Sequence, residues 1–163
     1  MSTVFYTQIE SPVGPLLLAG DAQGLRSLSF EKSRRAERVQ QDWKQDKTQF
    51  AEVIRQLRAY FGGKLKEFNV PLALEGTEFQ LSVWRSLRTI PYGETISYGQ
   101  LAQRIGNPKA VRAVGLANGC NPIPIIIPCH RVIGSNGSLT GFGGGIANKK
   151  KLLALESSQL SLL

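Results

Sequence analysis

Cysteine, histidine and arginine stand side by side once in this chain, at Cys129-His130-Arg131. A thiolate is the strong nucleophile and soft ligand among protein side chains, and a neighbouring base or cation is the usual means of lowering a thiol pKa. The run therefore has the makings of an activated nucleophile. Its bland alternative is a small buried hydrophobe, the ordinary fate of a cysteine. Two cysteines (Cys120 and Cys129) and a single histidine cannot close a tetrahedral zinc site without a carboxylate, so no metal is expected. A Cys120–Cys129 disulfide would not persist in a reducing cytosol.

The residues leading into the run are as informative as the run itself. In Asn121-Pro-Ile-Pro-Ile-Ile-Ile-Pro-Cys-His-Arg-Val132, three prolines fix φ and remove backbone donors, which excludes a regular central strand. The expectation is a stiff, buried, extended approach that presents Cys129 in one orientation. Adjacent residues of an extended chain point to opposite sides, so a water is the more natural link between Cys129 and His130 than a direct bond. Farther on, Gly141-Phe-Gly-Gly-Gly145 lacks the Lys-Ser/Thr and the strand-to-helix context of a nucleotide-binding loop, and that reading is rejected.

Around this segment the chain reads as two parts, 1–75 and 76–163. Val4–Ile9, Leu16–Ala19 and Leu25–Phe30 are short β-rich pieces separated by Ser-Pro-Val-Gly-Pro and Gly-Asp-Ala-Gln-Gly turn signals, which predicts a small antiparallel sheet. Glu31–Lys47 is charged and is assigned a short polar helix. Phe50, Val53, Ile54, Leu57 and Tyr60 recur at helical spacing and stop at Gly62-Gly63.

The second part opens with helices. Thr77-Glu-Phe-Gln80 has capping-box spacing before an apolar run that ends ahead of Pro91, and Ser97-Tyr-Gly-Gln100 repeats it before Leu101–Ile105. Gly106-Asn-Pro-Lys then turns the chain into a third helix, Ala110–Asn118. Two short helices across a Gly-containing turn fit a helix-turn-helix, although any helical hairpin has similar spacing.

Charge sharpens that reading. The net charge is +8; residues 1–75 carry 11 Lys/Arg and 9 Asp/Glu, whereas residues 76–163 carry 9 and 3. A basic half short of acids is what a polyanion-binding domain needs, since neutralised phosphates release counterions. A composition of 42% hydrophobic and 20% charged residues suits a cored protein rather than a disordered one. Ile123–Cys129 is too short and too proline-rich to span a bilayer, and the first ten residues do not read as a signal peptide. A cytoplasmic protein without membrane contact is expected.

Pro128-Cys-His-Arg-Val132, preceded by Asn121-Pro-Ile-Pro124 and Arg112-Ala-Val-Gly115, resembles the O6-alkylguanine-DNA alkyltransferases, the methylated-DNA–protein-cysteine methyltransferases. The resemblance runs from Thr77 to Glu156 and includes Phe79-Gln-Leu-Ser-Val-Trp84, Ile90-Pro-Tyr-Gly-Glu-Thr-Ile-Ser-Tyr98 and Gly106-Asn-Pro-Lys109. The first half is similar only in size and in its strand-then-helix layout.

The resemblance implies an α/β fold: a small N-terminal antiparallel-sheet-plus-helix domain, then a mainly helical domain with a helix-turn-helix and the active-site cysteine. It implies DNA repair by irreversible, single-turnover transfer of an alkyl group from O6-alkylguanine in double-stranded DNA, with O4-alkylthymine as a second candidate, by a monomer needing no cofactor or metal. Cys129 would accept the alkyl group, His130 would act as base through a water, Glu156 would orient His130, and Asn121 would brace the turn. Tyr98 would assist the guanine leaving group. Arg112 would fill the space of the extruded nucleotide, with Ala113 and Gly115 allowing close approach of the helix to the minor groove. Val132, Gly143 and Gly144 would line the base pocket.

Departures from the family pattern lie at Gly143, where some relatives carry a hydroxyl residue, and at Asn118-Gly119-Cys120, which replaces bulkier side chains. Cys120 reads as structural. A lesion-binding relative without chemistry, which would lack the acceptor cysteine, and a helix-turn-helix regulator, for which Pro-Cys-His-Arg has no purpose, are the alternatives.

Overall fold

A computed structural model describes residues 2–31, 33, 36–139 and 142–161. The chain divides into two compact units, Met1–Glu75 and Gly76–Leu163.

In the first unit, β1 (Phe5–Ile9), β2 (Leu16–Asp21) and β3 (Gly24–Phe30) form an antiparallel meander. Their inward positions bury Leu16, Leu18, Leu28 and Phe30, the alternation expected of a sheet covered on one face. The β2–β3 turn needs glycine at Gly24, whose φ is 147° and where a Cβ would meet the Pro71 carbonyl oxygen at 2.6 Å. Helix α1 (Ala51–Phe61) buries Val53, Ile54, Leu57 and Tyr60 from one stripe. Gln56 is buried with them, and its amide is satisfied by the backbone of Asn69, at 2.8 Å from Asn69 N and 3.0 Å to Asn69 O.

Two expectations for this unit change. The sheet is mixed rather than purely antiparallel, because β4 (Lys44–Gln45) adds to the free edge of β1 in parallel. The polar helix expected in Glu31–Lys47 is absent from residues 36–43; Lys32, Arg34 and Arg35 lie outside the described residues. Short helices owe their stability to packing, and Val39, the central apolar residue of this stretch, stays 45% exposed. Trp43 instead lies near the Tyr6 ring, with centroids 6.4 Å apart.

The second unit contains α2 (Glu78–Leu87), α3 (Tyr98–Arg104), α4 (Val111–Gly119) and α5 (Ile146–Ser161). Both capping boxes form: Thr77 with Gln80, and Ser97 with Gln100. Between α3 and α4, Gly106 takes φ 79°, the Gly106 N–H bonds to Gln103 O and the Asn107 N–H to Ala102 O. This left-handed cap stops α3 and turns the chain into α4. The Trp84 indole of α2 donates to the Ala117 carbonyl of α4 at 2.9 Å and fixes the second helix of the pair. A parallel pair of two-residue strands, β5 (Ile96–Ser97) and β6 (Val132–Ile133), was not foreseen. It ties the N-cap of α3 to the segment just after Cys129. No helix among the described residues is long and apolar enough to cross a membrane.

Candidate active site

The approach to Cys129 is not extended. Ile127 N bonds back to Ile123 O at 2.9 Å, and Ile125 between them has φ 76°. A β-branched residue there costs on the order of 1–3 kcal/mol and persists only where the surroundings over-determine it. Asn121 supplies that constraint: its Nδ2 donates to Ile127 O at 2.7 Å, and its Oδ1 accepts from Ile123 N at 3.0 Å. Burial of Ile123, Ile125, Ile126 and Ile127 supplies the rest. The prolines end regular structure, as expected, but they produce a knot of tight turns.

Cys129–Arg131 then form one turn of 3-10 helix, which places consecutive side chains roughly a third of a turn apart rather than on opposite sides. All three are buried, Cys129 at 5% exposure, His130 at 0% and Arg131 at 6%. His130 Nε2 lies 2.7 Å from Glu156 Oε2 on α5. Arg131 takes the same carboxylate with a fork, Nε to Oε1 at 2.9 Å and Nη2 to Oε2 at 3.1 Å, and sends Nη1 to the Ile90 carbonyl at 2.7 Å. Gly93 N adds a longer bond to Glu156 Oε1 at 3.4 Å. Glu156 is 1% exposed, so its carboxylate is held inside the protein by these partners rather than by solvent.

Burial pushes the Cys129 thiol up to about 11, while a hydrogen bond from Asn121 and the charge of Lys149 pull the other way. This corrects the reading of Arg131 as a cation that activates the thiol: its guanidinium is committed to Glu156. Burial lowers His130 below its usual value, and Glu156 opposes that shift. Burial alone would raise Glu156, but the hydrogen bonds and charges of His130 and Arg131 outweigh it and hold the carboxyl at about 2. An ionised carboxylate can only accept, so Nε2 of a neutral His130 carries the proton and Nδ1 keeps its lone pair. Nδ1 is buried and has no hydrogen-bond partner among the described residues.

The other expected site residues fall around this centre. Val132 pairs with Ile96 in the β5–β6 ladder, one residue before the N-cap of Tyr98. Gly115 stands against the Tyr98 ring, where a Cβ would lie 3.9 Å from it. Arg112 and Ala113 are exposed on α4, away from the buried network, in company with Leu116 at 65% exposure. Gly143 and Gly144 turn the chain into α5, with Asn148 Nδ2 donating to Gly144 O at 2.9 Å. Gly141 lies outside the described residues.

Two residues of the centre escaped sequence reasoning. Lys149 is fully buried, and its Nζ donates to Val132 O at 2.7 Å. In sequence it is one of the consecutive lysines Lys149, Lys150 and Lys151 that contribute to the basic charge of this half. Its helical phase was the available signal, since Leu152 and Glu156 follow at i+3 and i+7 on one face. Asn118, noted in the sequence only as a departure from bulkier side chains, is buried and directs Nδ2 toward Cys129 O at 3.4 Å. Among the described residues no three His, Cys, Asp or Glu side chains gather into a metal-holding group.

A helix-turn-helix unit that carries a buried cysteine beside a histidine–carboxylate pair defines a class of cysteine-dependent protein on a DNA-binding scaffold. Residues 78–158 match the 6-O-methylguanine DNA methyltransferase DNA-binding domain, and residues 4–74 match that family's ribonuclease-like domain. The chain therefore belongs to the 6-O-methylguanine DNA methyltransferase family, and over both units rather than the second alone.

The methylated-DNA–protein-cysteine methyltransferase of Methanosarcina acetivorans is 57% identical over 95% of this chain and 99% of its own length. The crystal structure of Mycobacterium tuberculosis O6-methylguanine methyltransferase is 53% identical, with a TM-score of 0.89 over 98% of this chain and 99% of that one. A structure of the M. tuberculosis protein in complex with DNA matches at 54% identity and a TM-score of 0.89, over 95% and 94% of the two chains.

Proposed function

We propose that this protein repairs DNA by transferring an alkyl group from O6 of guanine to Sγ of Cys129, once per molecule. The observation that carries the proposal is the Cys129 turn itself, with His130 braced by Glu156 and its Nδ1 without a hydrogen-bond partner among the described residues. In the reaction the Sγ–alkyl bond forms as the alkyl–O6 bond breaks, and the bonding pair leaves with O6. The thiol proton passes to His130 Nδ1 through a water, and guanine regains a proton with help from Tyr98. The thioether has no leaving group, so the cysteine is not restored.

A thiol with a pKa of about 11 is almost wholly protonated near neutral pH, so proton removal must accompany attack. A neutral His130 meets that need; an imidazolium would not. Asn121 keeps the turn in place and lends a hydrogen bond to the thiol. Val132, Gly143 and Gly144 would line the base pocket.

The basic second unit would bind duplex DNA through phosphates, with α4 in the minor groove and the damaged nucleotide rotated out of the stack. Exposed Arg112 would occupy the gap, and Ala113 and Gly115 would permit close approach. The protein would act as a monomer. Cys129→Ala separates the alternatives. It should lose all transfer yet bind methylated duplex as the parent does; unchanged transfer would refute the assignment.

A further inference from the structure

We propose that Arg131 is a positioning residue that neutralises Glu156, so that His130 rests as an uncharged imidazole able to take the Cys129 proton. The inference rests on the reading of His130 as base, and it concerns what keeps that base available.

A lone buried carboxylate at 2.7 Å from a histidine favours the imidazolium, which has no lone pair to offer. Here Glu156 is not alone. Arg131 covers it with two near-parallel bonds at 2.9 and 3.1 Å, the geometry that a guanidinium fork makes with a carboxylate. The pair is electrically balanced, so His130 faces a dipole rather than a bare anion. Glu156 still accepts the Nε2 proton and thereby sets the tautomer.

The third arm of Arg131, on Ile90 O at 2.7 Å, and the Tyr92 ring 5.7 Å from its guanidinium hold the fork in place. At 6% exposure, with its donors turned inward, Arg131 cannot be one more phosphate contact. The other groups around His130 are Cys129 on its own turn and Lys149 on α5, with Tyr92 beside the Arg131–Glu156 pair. Burial opposes protonation most strongly, the charges of Arg131 and Lys149 add to it, and only Glu156 favours it. Removing the Arg131 charge tips that balance toward the imidazolium.

His130 is the only histidine, so its imidazole signals in a nitrogen-resolved NMR titration need no assignment. The parent protein should show a neutral imidazole at neutral pH with the proton on Nε2. Arg131→Gln should raise its proton affinity by about tenfold, and Arg131→Lys, which keeps the charge, by much less. Single-turnover transfer from free O6-benzylguanine should lose activity toward acid at correspondingly higher pH in Arg131→Gln, and recover in Arg131→Lys.

An imidazolium or an Nδ1–H tautomer in the parent would overturn the proposal, and this measurement needs no variant to fold. A proton affinity unchanged in folded Arg131→Gln, or raised as far in Arg131→Lys, would overturn it too. Absence of any transfer, with the NMR results as expected, would instead refute the functional reading and leave the electrostatic one standing.

Discussion

Lys149 donates from its ammonium to the Val132 carbonyl at 2.7 Å, joining α5 to the strand that follows the cysteine turn. Its positive charge also favours the thiolate of Cys129, at the cost of burying an ammonium whose own pKa burial lowers. Lys149→Met keeps much of the side-chain volume and removes both effects. The Val132 carbonyl left without this donor costs about 1–3 kcal/mol, which relief from burying the charge partly offsets. The larger effect should be on reactivity. In a Cys120→Ser background, iodoacetamide should trap Cys129 more slowly in Lys149→Met at every pH below about 11. Equal trapping rates would show that Lys149 serves packing alone.

Stability should depend on pH in two windows. His130 is lowered by burial, so below its ordinary value the unfolded chain binds a proton that the folded chain resists. Stability is therefore full above about pH 6.5 and falls with acid until the folded-state value is passed. Glu156, depressed from 4.5 to about 2, adds a further loss between those values. Cys129 runs the other way. Its rise from 9 to about 11 means that stability is lost as pH climbs through that interval, by about 3 kcal/mol. Urea unfolding at stepped pH should show the alkaline loss in the parent and a smaller one in Cys129→Ala. Identical alkaline limbs would contradict the buried, protonated thiol.

How much of this was legible beforehand differs by element. Both capping boxes, the Gly106 turn and the apolar stripe of α1 were readable because each is a local pattern whose physics acts within four residues. The β5–β6 pair was not, since strands of two residues carry no period and owe their existence to the packing of Ile96 and Val132. The same limit explains Arg131. Two residues after Cys129 in sequence, it suggested a charge aimed at sulfur, whereas the turn aims it at a carboxylate 25 residues away. Lys149 and Lys150 look alike in sequence, and only the phase of α5 distinguishes the buried one from the exposed one.

Arg112 separates extrusion from chemistry. If it fills the gap left by the rotated nucleotide, Arg112→Ala should lose roughly 2 kcal/mol of compensation for unstacking, slowing transfer from duplex DNA about 30-fold. Transfer from free O6-benzylguanine should hardly change, and the defect should shrink when the lesion lies in a mismatch or a single strand. Tyr98→Phe should slow both substrates, because its role lies in the chemical step. Equal losses on free base and duplex in Arg112→Ala would assign Arg112 to the pocket.

The excess of Lys and Arg over acids in residues 76–163 predicts phosphate contacts that are blind to the lesion. Affinity for damaged and undamaged duplex should fall steeply and in parallel as salt is raised. Leu116, exposed one turn after Arg112, tests the complementary term. Leu116→Ala should weaken duplex binding without altering the salt slope, since it removes apolar contact and no charge. An affinity flat in salt would exclude the phosphate account.

The central claim is that Cys129 takes the alkyl group and keeps it. Incubating the protein with excess O6-methylguanine duplex, weighing the intact chain over time and mapping the adduct by peptide digestion tests this directly. The expected result is a gain of one methylene mass, complete at one equivalent, located on Cys129 and accompanied by an equal amount of restored guanine. Repair continuing past one equivalent, an adduct on Cys120, or binding with no gain in mass would contradict it.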